Sequence, residues 1–396
     1  MARRPTGCPV TTDLKAEAGS VVQDRSTDLI GLAAALHADP ETAWQEHRSC
    51  ALVSGFLRDS GFAVIERYLG LDTAFHATFG TGAVRVGLCA EYDALPGLGH
   101  ACGHNLISAM SVGAAIALAR VAARLDLTVE VYGTPAEEGG GGKIELLDRG
   151  AFTGLDLAMM AHPAPVDIAE ARPFAVSHSR VTFQGKAAHA AAYPEHGVNA
   201  ADAFTIAEVA IGLLRQQLPP SVRVHGVVTR AGEAPNAIPE RTEGRWYVRA
   251  ETMAQLEETE QRVWRCFEAG AQATGCTLSI EPESKPYCDF RTDEGTLDLY
   301  RKNAKALGRT FATGDDAARM NRSSTDMANV SQVVPAIHPF IGIGSLPALN
   351  HQREFADHCV GPDADRAVLD GSTALAWTAI DRFAHQVPPA LPKETP

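Results

Sequence analysis

The sequence predicts an α/β protein in which one domain is interrupted by a second of different rhythm. Three observations carry this. Segments 83–90 (AVRVGLCA), 128–133 (TVEVYG) and 155–161 (LDLAMMA) are nearly continuous in apolar residues, as strands covered on both faces are. Long stretches of helical periodicity separate them, and between 177 and 285 the order becomes β-α-β-β-α-β. With 396 residues, 45% apolar and 21% charged, the chain has material for a large core and about two domains.

Taken in order, residues 1–24 are polar and unpatterned and read as a flexible leader. Helical spacing over 28–37 and 41–60 opens the fold, the second helix stopping at Gly61. Strand 83–90, a long helix over 105–125, strand 128–133, a short helix at 143–149 and strand 155–161 follow. Such alternation builds a parallel or mixed sheet between two helical layers, a three-layer α/β/α domain. The next segments read as strand 177–184, helix 198–217, strands 222–231 and 241–250, helix 253–274 and strand 277–282. That order matches the split arrangement of ferredoxin-like α+β domains, so 177–285 reads as an insertion. A helix at 293–307, a strand at 336–343 and a closing helix at 364–385 resume the first pattern. Segments 25–176 and 286–387 therefore form one discontinuous domain, and the Pro-rich 388–396 reads as a flexible tail.

Charge and cysteine usage narrow the function. Lysine and arginine total 35 against 48 acidic residues, and a net charge of -13 repels nucleic-acid phosphates and anionic lipid surfaces. The eight cysteines are scattered without a CxxC pair, which fits a reducing compartment. The basic N-terminus runs into polar residues rather than an apolar signal segment. The apolar stretch 108–123 is interrupted by Arg120 and short of the ~20 residues that cross a bilayer. A cytoplasmic protein without membrane or nucleic-acid partners is the expectation.

Four clusters carry chemistry. The hexapeptide His100-Ala101-Cys102-Gly103-His104-Asn105 lies between a strand and a helix. Alone, it is equally readable as a buried cysteine with two polar turn histidines. Glu137 and Glu138 precede four glycines, which free the backbone to turn adjacent carboxylates different ways; by itself this is a charged surface loop. It is not a phosphate-binding P-loop, because Glu137 stands at the first glycine position and Ile144 follows the lysine. His162 and His351 are single histidines, and single histidines are usually structural. Position changes the weighing, since all four clusters follow the carboxyl ends of expected strands, where open α/β sheets place ligands. Cys102, His104, Glu137, Glu138, His162 and His351 supply five ligands with one of the two carboxylates to spare, which suits two divalent ions sharing a bridge, the chemistry of amide hydrolysis. The unliganded carboxylate then serves as general base.

The stretches EYDALPGLGHACGHN, PAEEGGGGK, AHP, GKAAHAAAYPEHGVNAADA, GEAPNAIPE with YVRA, STDMANVS and LNHQREF resemble, in order and spacing, the M20 family of dinuclear-metal peptidases and amidohydrolases. The likeness spans about residues 25–385. EYD before ALP and Asn105 after His104 are more similar to its aminobenzoyl-glutamate hydrolase and β-alanyl-lysine dipeptidase subgroup than to the auxin-conjugate and hippurate hydrolases. The resemblance implies a phosphorylase/hydrolase-like catalytic domain, with 177–285 a lid and dimerisation domain. It implies Cys102 as bridging thiolate, His104, Glu138, His162 and His351 as the other ligands, and Glu137 as the catalytic carboxylate. Asp93 would orient a ligand from behind, although an Asp that merely starts the turn before Ala-Leu-Pro is an equal reading. His189 would reach a tetrahedral oxyanion across a dimer, and Asn236 and Arg249 would bind a substrate carboxylate; a plain surface charge is the other reading of Arg249.

The implied reaction is attack by a hydroxide held between the ions, with Glu137 moving its proton to the leaving nitrogen. N-acyl or aroyl amino acids and small dipeptides, including β-alanyl ones, are the expected substrates, zinc or manganese the expected cofactors. Two rivals stand beside this. A thiol hydrolase with Cys102 as nucleophile and His104 as base leaves Glu138, His162 and His351 idle. A non-catalytic binding protein leaves an intact metal set unexplained.

Overall fold

The computed structural model of the chain describes residues 9–313 and 316–384; Cys8 and the tail 388–396 lie outside them. Two compact units are present, one made of the described residues up to Arg172 and from Phe290 onward, the other of Pro173–Asp289. The first unit begins with α1 (Pro9–Asp24), α2 (Ser26–Ala38), α3 (His47–Asp59), β1 (Ala63–Glu66), β2 (Phe75–Phe79) and β3 (Val84–Glu91). It continues through α4 (His104–Val121), β4 (Leu127–Thr134), α5 (Gly142–Asp148), β5 (Leu157–Met159) and β6 (His162–Ala164). The second unit holds β7 (Ala175–Gln184), α6 (Ala200–Leu214), β8 (Arg223–Arg230), β9 (Arg241–Ala250), α7 (Met253–Thr274) and β10 (Thr277–Pro282). The chain re-enters the first unit with α8 (Glu294–Ala306), α9 (Met327–Val330), β11 (Ala336–Ile337), β12 (Phe340–Gly342), α10 (Arg353–Asp357) and α11 (Pro362–Phe383).

The main sheet of the first unit has the order β1-β2-β4-β3-β5-β11, parallel from β4 through β11 and antiparallel at the β1-β2 edge. Alternation along β3 and β4 separates two cores. Val86, Leu88, Val129 and Val131 join the large core with α1, α2, α4 and α11, whereas Cys89 and Tyr132 join a smaller one with Leu146, Phe152 and Met327. Helical material thus covers both faces. The second unit's sheet is antiparallel in the order β10-β7-β9-β8. Phe183, Trp246 and Val248 on one face pack against Phe204 of α6 and Val263 and Phe267 of α7. Thr252 caps α7 by accepting from the Gln255 amide, and Gly275, with φ 80, ends it.

Several expectations are corrected. The leader is helical from Pro9, because Leu14, Ala18 and Val22 form a narrow buried stripe at four-residue spacing in an otherwise polar segment. Burying Leu14 and Val22 contributes roughly 1.5–3 kcal/mol each. The helix expected over 41–60 starts only at His47, since the buried Glu41 carboxylate accepts from the Ser49 amide at 2.7 Å and hydroxyl at 2.9 Å and so caps it. The strand expected over 336–343 divides into β11 and β12 in different sheets around Pro339, which has no N–H to continue a ladder. Segment 155–161 yields only the short β5, and β6 follows at His162 in the other sheet. Strands β1 and β2 have no counterpart in the sequence pattern; they are short and partly exposed. The segment His104–Arg124 is, by length and composition, long and apolar enough to cross a bilayer, against the expectation of shortfall; it lies mostly buried among α1, α2 and α11.

Candidate metal centre

Adjacent parallel strands bring the first two clusters together. β3 ends at Glu91, in register with Thr134 at the end of β4. Beyond β3 the chain passes Asp93 and reaches Cys102, with α4 starting at His104. Gly103 between them has φ 84, and a Cβ there would stand 2.8 Å from the Pro163 ring. Glycine therefore allows Cys102 and His104 to close on the His162-Pro163 segment. Beyond β4 come Glu137 and Glu138. His162 comes three residues after the end of β5 and itself opens β6. His351 sits in a turn at φ 70, its amide donating to the Ala101 carbonyl at 2.8 Å; a left-handed histidine is a strained choice of the kind that functional sites retain.

The side chains converge. Cys102 Sγ lies 3.5 Å from His162 Nε2, and His351 Nε2 lies 3.1 Å from Glu138 Oε1. His104 Nε2 is 3.9 Å from Glu137 and 4.0 Å from Glu138. Tautomers follow from the outer contacts. His104 Nδ1 donates to Asp93 at 2.9 Å and His162 Nδ1 to the Pro163 carbonyl at 2.8 Å, so both Nε2 atoms face inward. His104 Nε2 is buried without a hydrogen-bond partner, which suits a metal ligand. Three groups, Cys102-His104-His162, Cys102-Glu138-His351 and His104-Glu137-Glu138, could each hold a metal ion. The first two share Cys102, as a bridging thiolate requires.

Electrostatics sort the roles. Burial, with Glu91, Glu138 and Asp326 nearby, holds Glu137 well above the usual carboxylate range. Burial also opposes the charge on Glu138, but its bond to His351 and the charges of His351 and His104 outweigh that and keep it below. Two neighbouring carboxylates pushed apart in this way suit a proton carrier and an ionised ligand. Burial and the His338 and His104 rings keep His162 neutral, the form that binds metal. Burial and Glu138 push the Cys102 thiol well up, so without cations it is a poor nucleophile.

Residues not singled out from the sequence support this loop. Glu46, fully buried, accepts from the Ala136 amide at 2.9 Å, and Asp93 accepts from the Glu138 amide at 3.0 Å. Burial and the Asp93 charge raise Glu46 to about 7. The folded protein therefore binds a proton here that the unfolded chain, at its usual 4.5, has lost, and stability falls as pH rises from about 4.5 through 7. Glu46→Gln is expected to flatten that fall in urea titrations at stepped pH, by on the order of 2–3 kcal/mol at most; an unchanged pH slope would assign the dependence to other groups.

In the second unit, His189 is exposed, and its Nδ1 accepts from the Ala191 and Ala192 amides at 3.3 and 3.2 Å, leaving Nε2 as donor. The Ala190 amide donates to the Asn236 carbonyl at 3.0 Å, so His189 and Asn236 share one end of the unit. Arg249 stands near the far end of β9, eight residues or roughly 26 Å of extended strand beyond Arg241.

The chain is similar to known proteins along most of its length. The model of Peptidase family M20/M25/M40 matches residues 87–364. The Xaa-Arg dipeptidase of Mus musculus is 40% identical over 382 residues, covering 93% of this chain and 88% of its own. One of the subunits of the p-aminobenzoyl-glutamate hydrolase of Escherichia coli is 32% identical over 281 residues, covering 65% of this chain and 58% of its own. A dinuclear metal binding peptidase of the M20 family from Bacillus subtilis superposes with a TM-score of 0.68 at 20% identity, over 91% of this chain and 99% of that one. The chain thus belongs to the M20/M25/M40 peptidase family, metal-dependent hydrolases of peptide and other amide bonds.

Proposed function

We propose that this chain is a dipeptidase or amidohydrolase that cleaves small amides bearing a free carboxylate, with two divalent ions held by Cys102, His104, Glu138, His162 and His351. The observation that carries the reading is the shared position of Cys102 between two donor groups. When bound, the ions supply Lewis acidity to the scissile carbonyl and acidify the attacking water. Glu137 takes a proton from that water and returns it to the leaving nitrogen. Asp93 holds His104 in the tautomer that offers Nε2. Thiolate favours zinc among the candidates, and manganese is the alternative.

The unit Pro173–Asp289 is read as a lid and dimerisation domain inserted in the catalytic one. Exposed Val209 and Leu213 on α6 and Val227 on β8 supply apolar surface for a second copy. The span of β9 supports a division of labour: one protomer contributes Arg249 to the substrate carboxylate, and its partner contributes His189, donating to the oxyanion, and Asn236. Free cysteines throughout the described residues fit a reducing cytoplasm.

For substrate, the 40% identity to an Xaa-Arg dipeptidase favours dipeptides with a basic C-terminal residue, and the hydrolase of p-aminobenzoyl-glutamate supports an aroyl amino acid as second reading. A panel of Xaa-Arg, Xaa-Lys and β-alanyl dipeptides, aminobenzoyl-glutamate and acetylated amino acids, with zinc or manganese restored, is expected to give the highest kcat/KM on a basic dipeptide. No turnover on any member with either metal would sink the proposal, and sedimentation as a single chain would remove the trans role of His189.

A further inference from the structure

The loop that carries Glu137 and Glu138 poses a mechanical problem. Gly139 through Gly142 have no side chains to pack, and Gly139 and Gly141 adopt φ of 92 and 66. The turn is also too tight for larger residues, since a Cβ on Gly142 would lie 1.9 Å from the Pro135 carbonyl oxygen and one on Gly140 2.6 Å from Ala136 Cβ. Four consecutive glycines leave a chain with much conformational freedom to lose. A proton carrier placed on it needs external anchoring.

Anchors come from three buried carboxylates on separate elements. Glu46 and Asp93 hold the amides of Ala136 and Glu138 on the near side of the glycines. On the far side Asp326, just before α9, accepts from the Lys143 amide at 2.9 Å and from its ammonium at 2.7 Å. The same ammonium meets Glu91 Oε1 at 2.5 Å. Lys143, Glu91 and Asp326 are all fully buried, a combination tolerated only where pairing is close. Glu91 Oε2 lies 3.5 Å from His104 Nε2, and Glu137 interacts electrostatically with Glu91, Asp326 and Lys143. The ammonium thus places a buried positive charge among carboxylates that would otherwise repel one another and Glu137.

We infer that Lys143, clamped between Glu91 and Asp326, is a positioning residue that fixes the glycine loop and holds Glu137 in place for proton transfer. Its ammonium is held by Glu91 and Asp326, and by this inference it does not touch the substrate. The inference rests on the amide-hydrolase reading for its kinetic part, but the anchoring itself is measurable without substrate.

The test uses Lys143→Met and, should that variant fail to fold, Lys143→Met/Glu91→Gln, which removes both charges and keeps similar volumes. Hydrogen exchange of amides 136–143 in the metal-loaded protein is expected to quicken at least ~10-fold while the strands β3 and β4 stay protected. With two ions still bound, kcat is expected to fall ~10²-fold with KM changed less than ~3-fold, and the acid limb of the pH–rate profile to move. Unchanged exchange in the loop overturns the anchoring, and unchanged kcat with an unmoved pH profile overturns the positioning role. Inactivity of the unaltered protein on every substrate would count against the hydrolase reading alone, because the exchange result stands apart from it.

Discussion

Replacing Glu137 by glutamine is expected to leave both divalent ions bound and to lower turnover at least ~10²-fold. The substitution keeps the volume and one carbonyl oxygen, so packing at this buried position is preserved while the transferable proton is lost. The rival role for Glu137 is that of a ligand, because His104, Glu137 and Glu138 also lie close enough to hold an ion. Geometry and charge favour the carrier role. Glu138 is already engaged at 3.1 Å with His351 and kept ionised, whereas Glu137 faces Glu91, Glu138 and Asp326, whose charges raise its affinity for a proton and so its strength as a base. Elemental analysis of the variant decides. Loss of an ion in parallel with loss of activity would make Glu137 a ligand, and full activity would remove it from the chemistry.

How far the sequence could be read depended on the range of the physics involved. Periodicity is local, so α7 and β10 fall at the expected residues and α4 and β4 within a few. Glu41 redirects the chain through a carboxylate that caps α3, and Pro339 does so by moving it from one sheet to another. Neither effect leaves a periodic trace. Of the candidate site, the sequence pointed to rare residue types near strand ends, Cys102, His104, Glu138 and His162, and the fold brings these side chains together. The sequence did not point to their supports. Glu46, Glu91, Lys143 and Asp326 are ordinary charged residues in sequence, spread over nearly 300 positions, and only burial marks them. Lys143 has a sequence signal only as the lysine of a P-loop that the surrounding residues exclude. Glu91 and Asp326 stand inside the EYD and STD stretches, which is the signal that could have pointed to them.

Removing the metals, or the sulfur they are expected to share, should have the largest effect of all. Cys102→Ala is expected to bring ion content below one per chain where the unaltered protein is expected to hold two, because Cys102 alone belongs both to the group with His104 and His162 and to that with Glu138 and His351. Loss of Lewis-acid assistance, several kcal/mol of barrier, corresponds to on the order of 10³-fold or more in turnover. That loss does not by itself distinguish a bridging thiolate from a nucleophilic one, since both readings require the sulfur. Chelation of the unaltered protein does. A nucleophilic cysteine would keep working without cations, but burial and Glu138 press this thiol toward its neutral form, and a dication is the group that can reverse that. Activity should therefore vanish on chelation and return with zinc or manganese in proportion to ions bound, reaching full value only near two per chain. Turnover that survives in metal-free protein and is abolished by thiol alkylation would instead make Cys102 the nucleophile and leave His351 and Glu138 as an ordinary surface ion pair.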